Sequence, residues 1–299
     1  MSDHESEQTA VPTTSSATVP AHVSAEDYAE VLEGRADMVA EAAAEVKEPV
    51  ARVADADADG VPVRIYVPEA PRGTLLYLHG GGFVFGSPTT HDGFIRRLAN
   101  RTHYAVCAVD YRLAPEHPYP AAVDDTETAA EWWAAHAGDF GLDPGATVPL
   151  GDSAGAALAL GLTLRHPGRY RTQVLVYPFV DPSMDSYDRD LVDPDLDLEA
   201  CEWFWANYAP DATRHTEVDL DPLRADSFAG QPATLIQLAQ DDVLVPTAHD
   251  LSRRMSDAGV GVTLRTYAGV GHGFWRRDND AAEAALADIA AYLETGTLA

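Results

Sequence analysis

Lysine is nearly absent from this chain. Lys47 is the single lysine among 20 basic residues, the rest being arginine, and 48 acidic residues leave a formal net charge of −28. No basic patch can be assembled from so few cations. This argues against nucleic acid or an anionic membrane as a partner, because neutralising phosphates requires clustered Lys and Arg. Cysteine is scarce as well. Cys107 and Cys201 do not make a disulfide framework, and Cys107, set in an apolar strand pattern, reads as a buried free thiol. No apolar run approaches the ~18 residues of a membrane-spanning helix. The opening stretch MSDHESEQTAVPTTSSATVP has neither a basic start nor an apolar core, so no secretory signal is legible and a cytoplasmic location is expected. Spacings such as H-E-x-x-H are missing, which speaks against a metallohydrolase; neither metal nor cofactor is expected.

What the chain does contain is a strand–turn–helix pattern at residues 147–160, TVPLGDSAGAALAL. Within it Gly151-Asp152-Ser153-Ala154-Gly155 matches G-x-S-x-G, with an apolar segment before and an Ala/Leu-rich helix former after, the setting a nucleophile elbow requires. A tight, strained turn accounts for the glycines. Ser153 would stand at a helix N-terminus whose dipole favours developing negative charge. Alone the pentapeptide is weak, with about 0.06 chance matches at this composition; His79-Gly80-Gly81-Gly82, about seventy residues upstream, has a chance expectation of about 0.004. An HGGG-type loop is the other half of an oxyanion hole in lipases and esterases, so two independent motifs occur in the right order.

Around these motifs the chain alternates. Residues 1–22 read as a disordered tail. Residues 24–48 carry helical spacing, which Gly34 is expected to split into two helices before Pro49. VARVADA and VPVRIYV flank Asp57-Ala58-Asp59-Gly60 as a hairpin. Strands are expected at 74–78, 104–110, 173–177, 233–239 and 262–267, and helices at 91–101, 121–136, 247–258 and 280–293, with a loop at 268–274. From Asp181 to about Asp221 the alternation lapses into an acidic insertion containing Trp203, Phe204 and Trp205, either local core or a pocket wall. With the nucleophile strand, the count is about eight strands in one mostly parallel sheet covered by helices on both faces.

A serine hydroxyl needs a base, and the base needs an orienting acid. In this fold class the order is Ser, acid, His. Of the later histidines, His249 falls inside a helix and His215 in the acidic insertion. His272, in GVGHGF, sits among glycines that let its ring reach Ser153. The acid should follow strand 233–239, at the C-terminal edge where parallel sheets carry their sites. Asp241 and Asp242 both qualify. Asp221, in Asp221-Pro222-Leu223, precedes the strand and reads as a turn residue.

The chain resembles the hormone-sensitive-lipase-like family of α/β-hydrolases. The matching residues are His79-Gly80-Gly81-Gly82-Phe83, Tyr111-Arg112-Leu113-Ala114-Pro115-Glu116-His117, Gly151-Asp152-Ser153-Ala154-Gly155 and His272-Gly273-Phe274, spread over about residues 50–295. The resemblance implies an α/β-hydrolase fold with a helical cap, drawn here from residues 23–49 and about 181–222, on a catalytic domain spanning 50–299. It implies that the acid is Asp242, which lies thirty residues before His272 (272 − 242 = 30), although Val243 stands where the family commonly has proline. It implies backbone donors at Gly81, Gly82 and Ala154, structural roles for His79 and Asp152, and a substrate wall formed by Phe83, Trp203, Phe204 and Trp205. The function it implies is hydrolysis of short- to medium-chain carboxylic esters through an acyl-enzyme on Ser153. Rival readings on the same residues are an amidase, lactonase or acyltransferase, and a non-catalytic small-molecule binder, whose plant examples lack the triad histidine. A homodimer through an exposed edge strand or helix stays open.

The charge has three readings: a solubility device, a metal-binding surface, or adaptation to salt. At ~1 M salt the Debye length is about 3 Å and self-repulsion is screened. An acid-rich, lysine-poor composition resembles that of proteins from salt-loving archaea, and adaptation to salt is the reading favoured here.

Overall fold

The computed structural model of the protein describes residues 18–193, 195–296 and 298, so most of the expected tail at 1–22 lies outside the described residues. Eight strands form one sheet in the order β1-β2-β4-β3-β5-β6-β7-β8. The strands are β1 (Arg52–Ala58), β2 (Val61–Val67), β3 (Gly73–Leu78), β4 (Tyr104–Val109), β5 (Thr147–Asp152), β6 (Thr172–Val176), β7 (Ala233–Asp241) and β8 (Val262–Gly271). β1 and β2 form the expected hairpin, with Asp59 and Gly60 both at positive φ (53° and 98°) in the turn. β2 runs antiparallel to β4, and the six remaining strands are parallel. This is the α/β-hydrolase fold expected from the sequence.

Strand alternation sorts the core into two layers. Leu75, Tyr77, Val106 and Ala108 face one way, onto α2 (Asp92–Thr102) and α7 (Asp280–Thr295). Leu76, Leu78, Cys107 and Val109 face the other, onto α3 (Ala121–His136), α4 (Ala154–Arg165) and α6 (Val245–Asp257). Because both faces are covered, the central strands read as unbroken apolar runs; all six residues of β3 are buried.

Two expectations give way. The N-terminal segment is one helix, α1 (Ala25–Ala44), rather than two. A glycine inside a helix costs about 1 kcal/mol relative to alanine, which is too little to break a twenty-residue element docked at several points. Gly34 serves close packing: a Cβ there would lie 3.1 Å from the Phe85 ring. Arg35 adds an anchor by donating to the Val84 and Ala114 carbonyls (2.9 and 2.7 Å) and pairing with Glu116. Second, the expected loop at 268–274 is strand as far as Gly271. A bulge between Ala239 and Asp241 lets Asp241 pair with Gly271, and this register matters for the site. In the acidic insertion α5 (Leu198–Tyr208) sets Phe204 against Gly82, in the loop that follows β3.

Candidate active site

Ser153 follows β5 directly and precedes α4, with φ 54° and ψ −121°. A side-chain-bearing residue tolerates this conformation only where its surroundings enforce it. Here Ser153 N–H donates to Val176 O (2.8 Å), and Ser153 O accepts from Phe179 N–H (3.1 Å). The flanking glycines are required by contact. A Cβ on Gly155 would lie 1.9 Å from Leu78 O, and one on Gly151 would lie 2.2 Å from Gly155 O. The turn is therefore pressed against β3, and Ser153 is lifted off the sheet at the start of a helix.

The histidine and the aspartate expected as base and acid arrive through the β7–β8 register. Because Asp241 pairs with Gly271, the next residue on each strand, Asp242 and His272, leave the sheet side by side. His272 Nδ1 lies 2.8 Å from Asp242 Oδ2, and His272 Nε2 lies 2.9 Å from Ser153 Oγ. That pattern fits an imidazole that donates from Nδ1 to the carboxylate and accepts the serine O–H at Nε2, the tautomer being assigned from the network. Asp242 is 1% exposed, and its other oxygen accepts from Leu244 N–H (2.9 Å). The choice between adjacent aspartates is decided by the strand: Asp241 is its last residue and Asp242 the first beyond it. His249 is an exposed residue of α6 and His215 is bonded to Ala209 O; neither lines the cavity at Ser153. Asp221 pairs with Arg224 instead.

The HGGG loop leans on the elbow. Asp152 Oδ1 accepts from Tyr77 O–H (2.8 Å) and Gly80 N–H (3.0 Å). Burial raises the Asp152 carboxyl above the usual range, against the pull of nearby Arg276. His79 stacks on Tyr111 (4.1 Å) and its Nδ1 lies 2.9 Å from Gly80 O. Burial depresses this histidine to about 4, so it is neutral and serves as a brace. Gly81 and Gly82, both at positive φ, line a cavity beside Ser153. Their N–H groups donate to no acceptor among the described residues. Ala154, first residue of α4, has no helical acceptor for its own N–H.

The cavity measures about 150 Å³ and is walled by Tyr177, Phe179, Leu196, Phe204, Asp195 and Arg276. Of the four aromatic candidates only Phe204 lines it, sitting so close over Gly82 that a Cβ there would meet its ring at 2.1 Å. Phe83 and Trp205 are corrected to core. Phe83, 2% exposed, stacks on Tyr208 at 3.7 Å, and Trp205, 3% exposed, stacks on Phe179 at 4.6 Å. Trp203 packs on Phe85, away from the cavity. The reason is helical: consecutive residues of α5 point about 100° apart, so three in a row cannot face one space. Sequence reasoning missed Arg276, four residues after His272, and Asp193 and Asp195, which an acidic insertion hides among many like residues. Among the described residues, one group has three convergent ligating side chains, Glu127, Glu131 and His166. Arg165 and Arg169 pair with its carboxylates, and it does not line this cavity.

A family described as alpha/beta hydrolase fold matches the chain over residues 75–276. Esterase LipI of Mycobacterium tuberculosis is 36% identical over 244 residues, which is 76% of this chain and 76% of that protein. An ethyl acetate hydrolase of Pseudomonas putida is 34% identical over 235 residues, 74% and 73% of the two chains. Among solved structures, a hyperthermophilic esterase from the archaeon Pyrobaculum calidifontis superposes with a TM-score of 0.79 at 32% identity, covering 89% of this chain and 91% of its own.

Proposed function

The chain belongs to the α/β-hydrolase fold family and is a carboxylic ester hydrolase, and on that premise we propose that it cleaves short-chain esters through an acyl-enzyme on Ser153. The observation that carries this reading is the continuous hydrogen-bonded line from Ser153 through His272 to Asp242, 2.9 and 2.8 Å. His272 takes the Ser153 proton as Oγ bonds to the acyl carbon. The carbonyl electron pair moves onto oxygen, where the N–H groups of Gly81, Gly82 and Ala154 receive it. The intermediate collapses, the C–O bond to the alcohol breaks, and His272 returns its proton to the leaving oxygen. Water then attacks the acyl-enzyme, gives its proton to His272, and the carboxylic acid leaves as Ser153 is reprotonated. Asp242 holds the ring and stabilises the imidazolium. No step needs a metal or cofactor.

The acyl preference follows from volume. About 150 Å³ is below the ~300–1,000 Å³ of drug-sized pockets. Phe179, Leu196 and Phe204 supply an apolar wall for a short acyl chain. Residues 23–49 and about 181–222 act as the cap.

The test is hydrolysis of p-nitrophenyl esters from acetate to decanoate, with the matching acetanilide alongside. Activity is expected to peak at acetate to butyrate, to spare the anilide, and to fall on the order of 10⁵-fold in Ser153→Ala. Turnover that survives Ser153→Ala refutes the acyl-enzyme reading, and equal cleavage of the anilide moves the enzyme to the amidases.

A further inference from the structure

The stretch between β6 and α5 is fastened to the two loops that carry Asp242 and His272. Asp188 N–H donates to Val243 O (2.9 Å), one residue beyond Asp242. Asp193 Oδ2 accepts from the backbone N–H of His272 (3.0 Å), and Asp193 Oδ1 accepts from Asp195 N–H (2.8 Å). Asp195 pairs in turn with Arg277. Asp193 is 4% exposed, a costly place for a carboxylate unless its hydrogen bonds are made. The fit explains Gly271 too, since a Cβ there would come within 2.6 Å of Asp193 Oδ1. The reaction written above makes no use of Asp193.

We propose that Asp193 is a positioning residue that clamps the main chain of His272 from the cap side, so that the imidazole meets Ser153 and Asp242 together. The proposal rests on the reading of those three residues as the triad. Two side-chain contacts, to Ser153 and Asp242, set the direction of the His272 ring. The β7–β8 pairing holds the chain only as far as Gly271, and beyond it the His272 main chain is free to swing. The Asp193 carboxylate removes that freedom, and it does so from the insertion, which makes the cap part of the catalytic geometry. A shift of about 1 Å in a catalytic group costs on the order of 10²-fold in rate, so the clamp acts on kcat and leaves ground-state binding alone.

The test is a pair of variants. Asp193→Ala removes both acceptors; Asp193→Asn keeps one carbonyl oxygen for the His272 N–H, without the charge, and gives up the bond to the Asp195 N–H. On p-nitrophenyl acetate, Asp193→Ala is expected to lose about 10- to 100-fold in kcat with KM within about twofold. Asp193→Asn is expected to stay within about threefold of wild type. Labelling of Ser153 by a fluorophosphonate, which needs no ester turnover, should slow in parallel in the Ala variant alone. A folded Asp193→Ala with wild-type kcat and labelling rate overturns the proposal. Should Asp193→Ala fail to fold, Asp193→Asn decides: a folded Asn variant that loses tenfold or more overturns positioning through the acceptor, and one with near-wild-type kcat supports it. A wild type that is neither active on esters nor labelled overturns the triad reading, and this proposal with it.

Discussion

At the scale of single residues, backbone contact and burial dominate. Gly155 faces the Leu78 carbonyl at a distance no side chain can occupy. Gly155→Ala must therefore push the elbow off β3, and a loss of about 3 kcal/mol or more in urea unfolding is expected, with Ser153 carried out of reach of His272. His79 offers a pH test. Its folded value is depressed to about 4 from an ordinary 6.5. Below 6.5 the unfolded chain takes a proton that the folded chain refuses, so stability is lost as pH falls from 6.5 toward 4, by about 3 kcal/mol at most. Asp152 and Asp221, both raised by desolvation, act in the opposite sense, gaining stability as pH falls. The comparison with His79→Gln therefore isolates the histidine. Its unfolding free energy should depend less steeply on pH across that window by up to one proton, and an unchanged slope refutes the assignment.

At the scale of elements, the turns and helices that frame the site differ in what they tolerate. The Asp59-Gly60 turn projects into open space, with nothing within 4 Å of a Cβ on Gly60, which has φ 98°. Gly60→Ala then tests backbone strain alone and should cost about 1–2 kcal/mol without touching activity, as read by thermal unfolding beside kcat. Of the eleven residues of helix α5, Phe204 alone lines the cavity. Phe204→Ala should enlarge the space at Gly82 and move the preferred acyl chain upward by two or more carbons in the p-nitrophenyl series. An unaltered preference would mean that Phe179 and Leu196 set the limit instead.

At the scale of the whole molecule the governing number is −28. Self-repulsion of that size is long-ranged and falls as the Debye length shrinks from about 10 Å at 0.1 M to about 3 Å at 1 M. The ion pairs of the surface, such as Arg253–Asp250 and Arg265–Asp288, weaken under the same screening, but each exposed pair is worth only about 0–1 kcal/mol. The thermal midpoint is therefore expected to rise between 0.1 and 1 M NaCl. A fall would mean that local pairs outweigh global repulsion, and that the acidic surface is not an adaptation to salt.

Much of this protein was legible in one dimension because the signals are local. The elbow, the HGGG loop, the Asp57–Gly60 turn and the strand–helix alternation are short-range patterns whose chemistry depends on neighbours in the chain. They determined the fold class, and they singled out Ser153 and His272 as the residues to propose as nucleophile and base. What depended on distant contacts was left to the tertiary structure. Gly34 is read from sequence as a helix breaker and is in fact the seat of Phe85. The extension of β8 to Gly271 required a bulge in its partner. Residues 203–205 divide between cavity and core according to helix phase. Asp193 acquires meaning only where the insertion folds back onto His272. In each case the deciding term is packing or a hydrogen bond between segments far apart in sequence, and a pattern of residue types carries no record of which surfaces will meet.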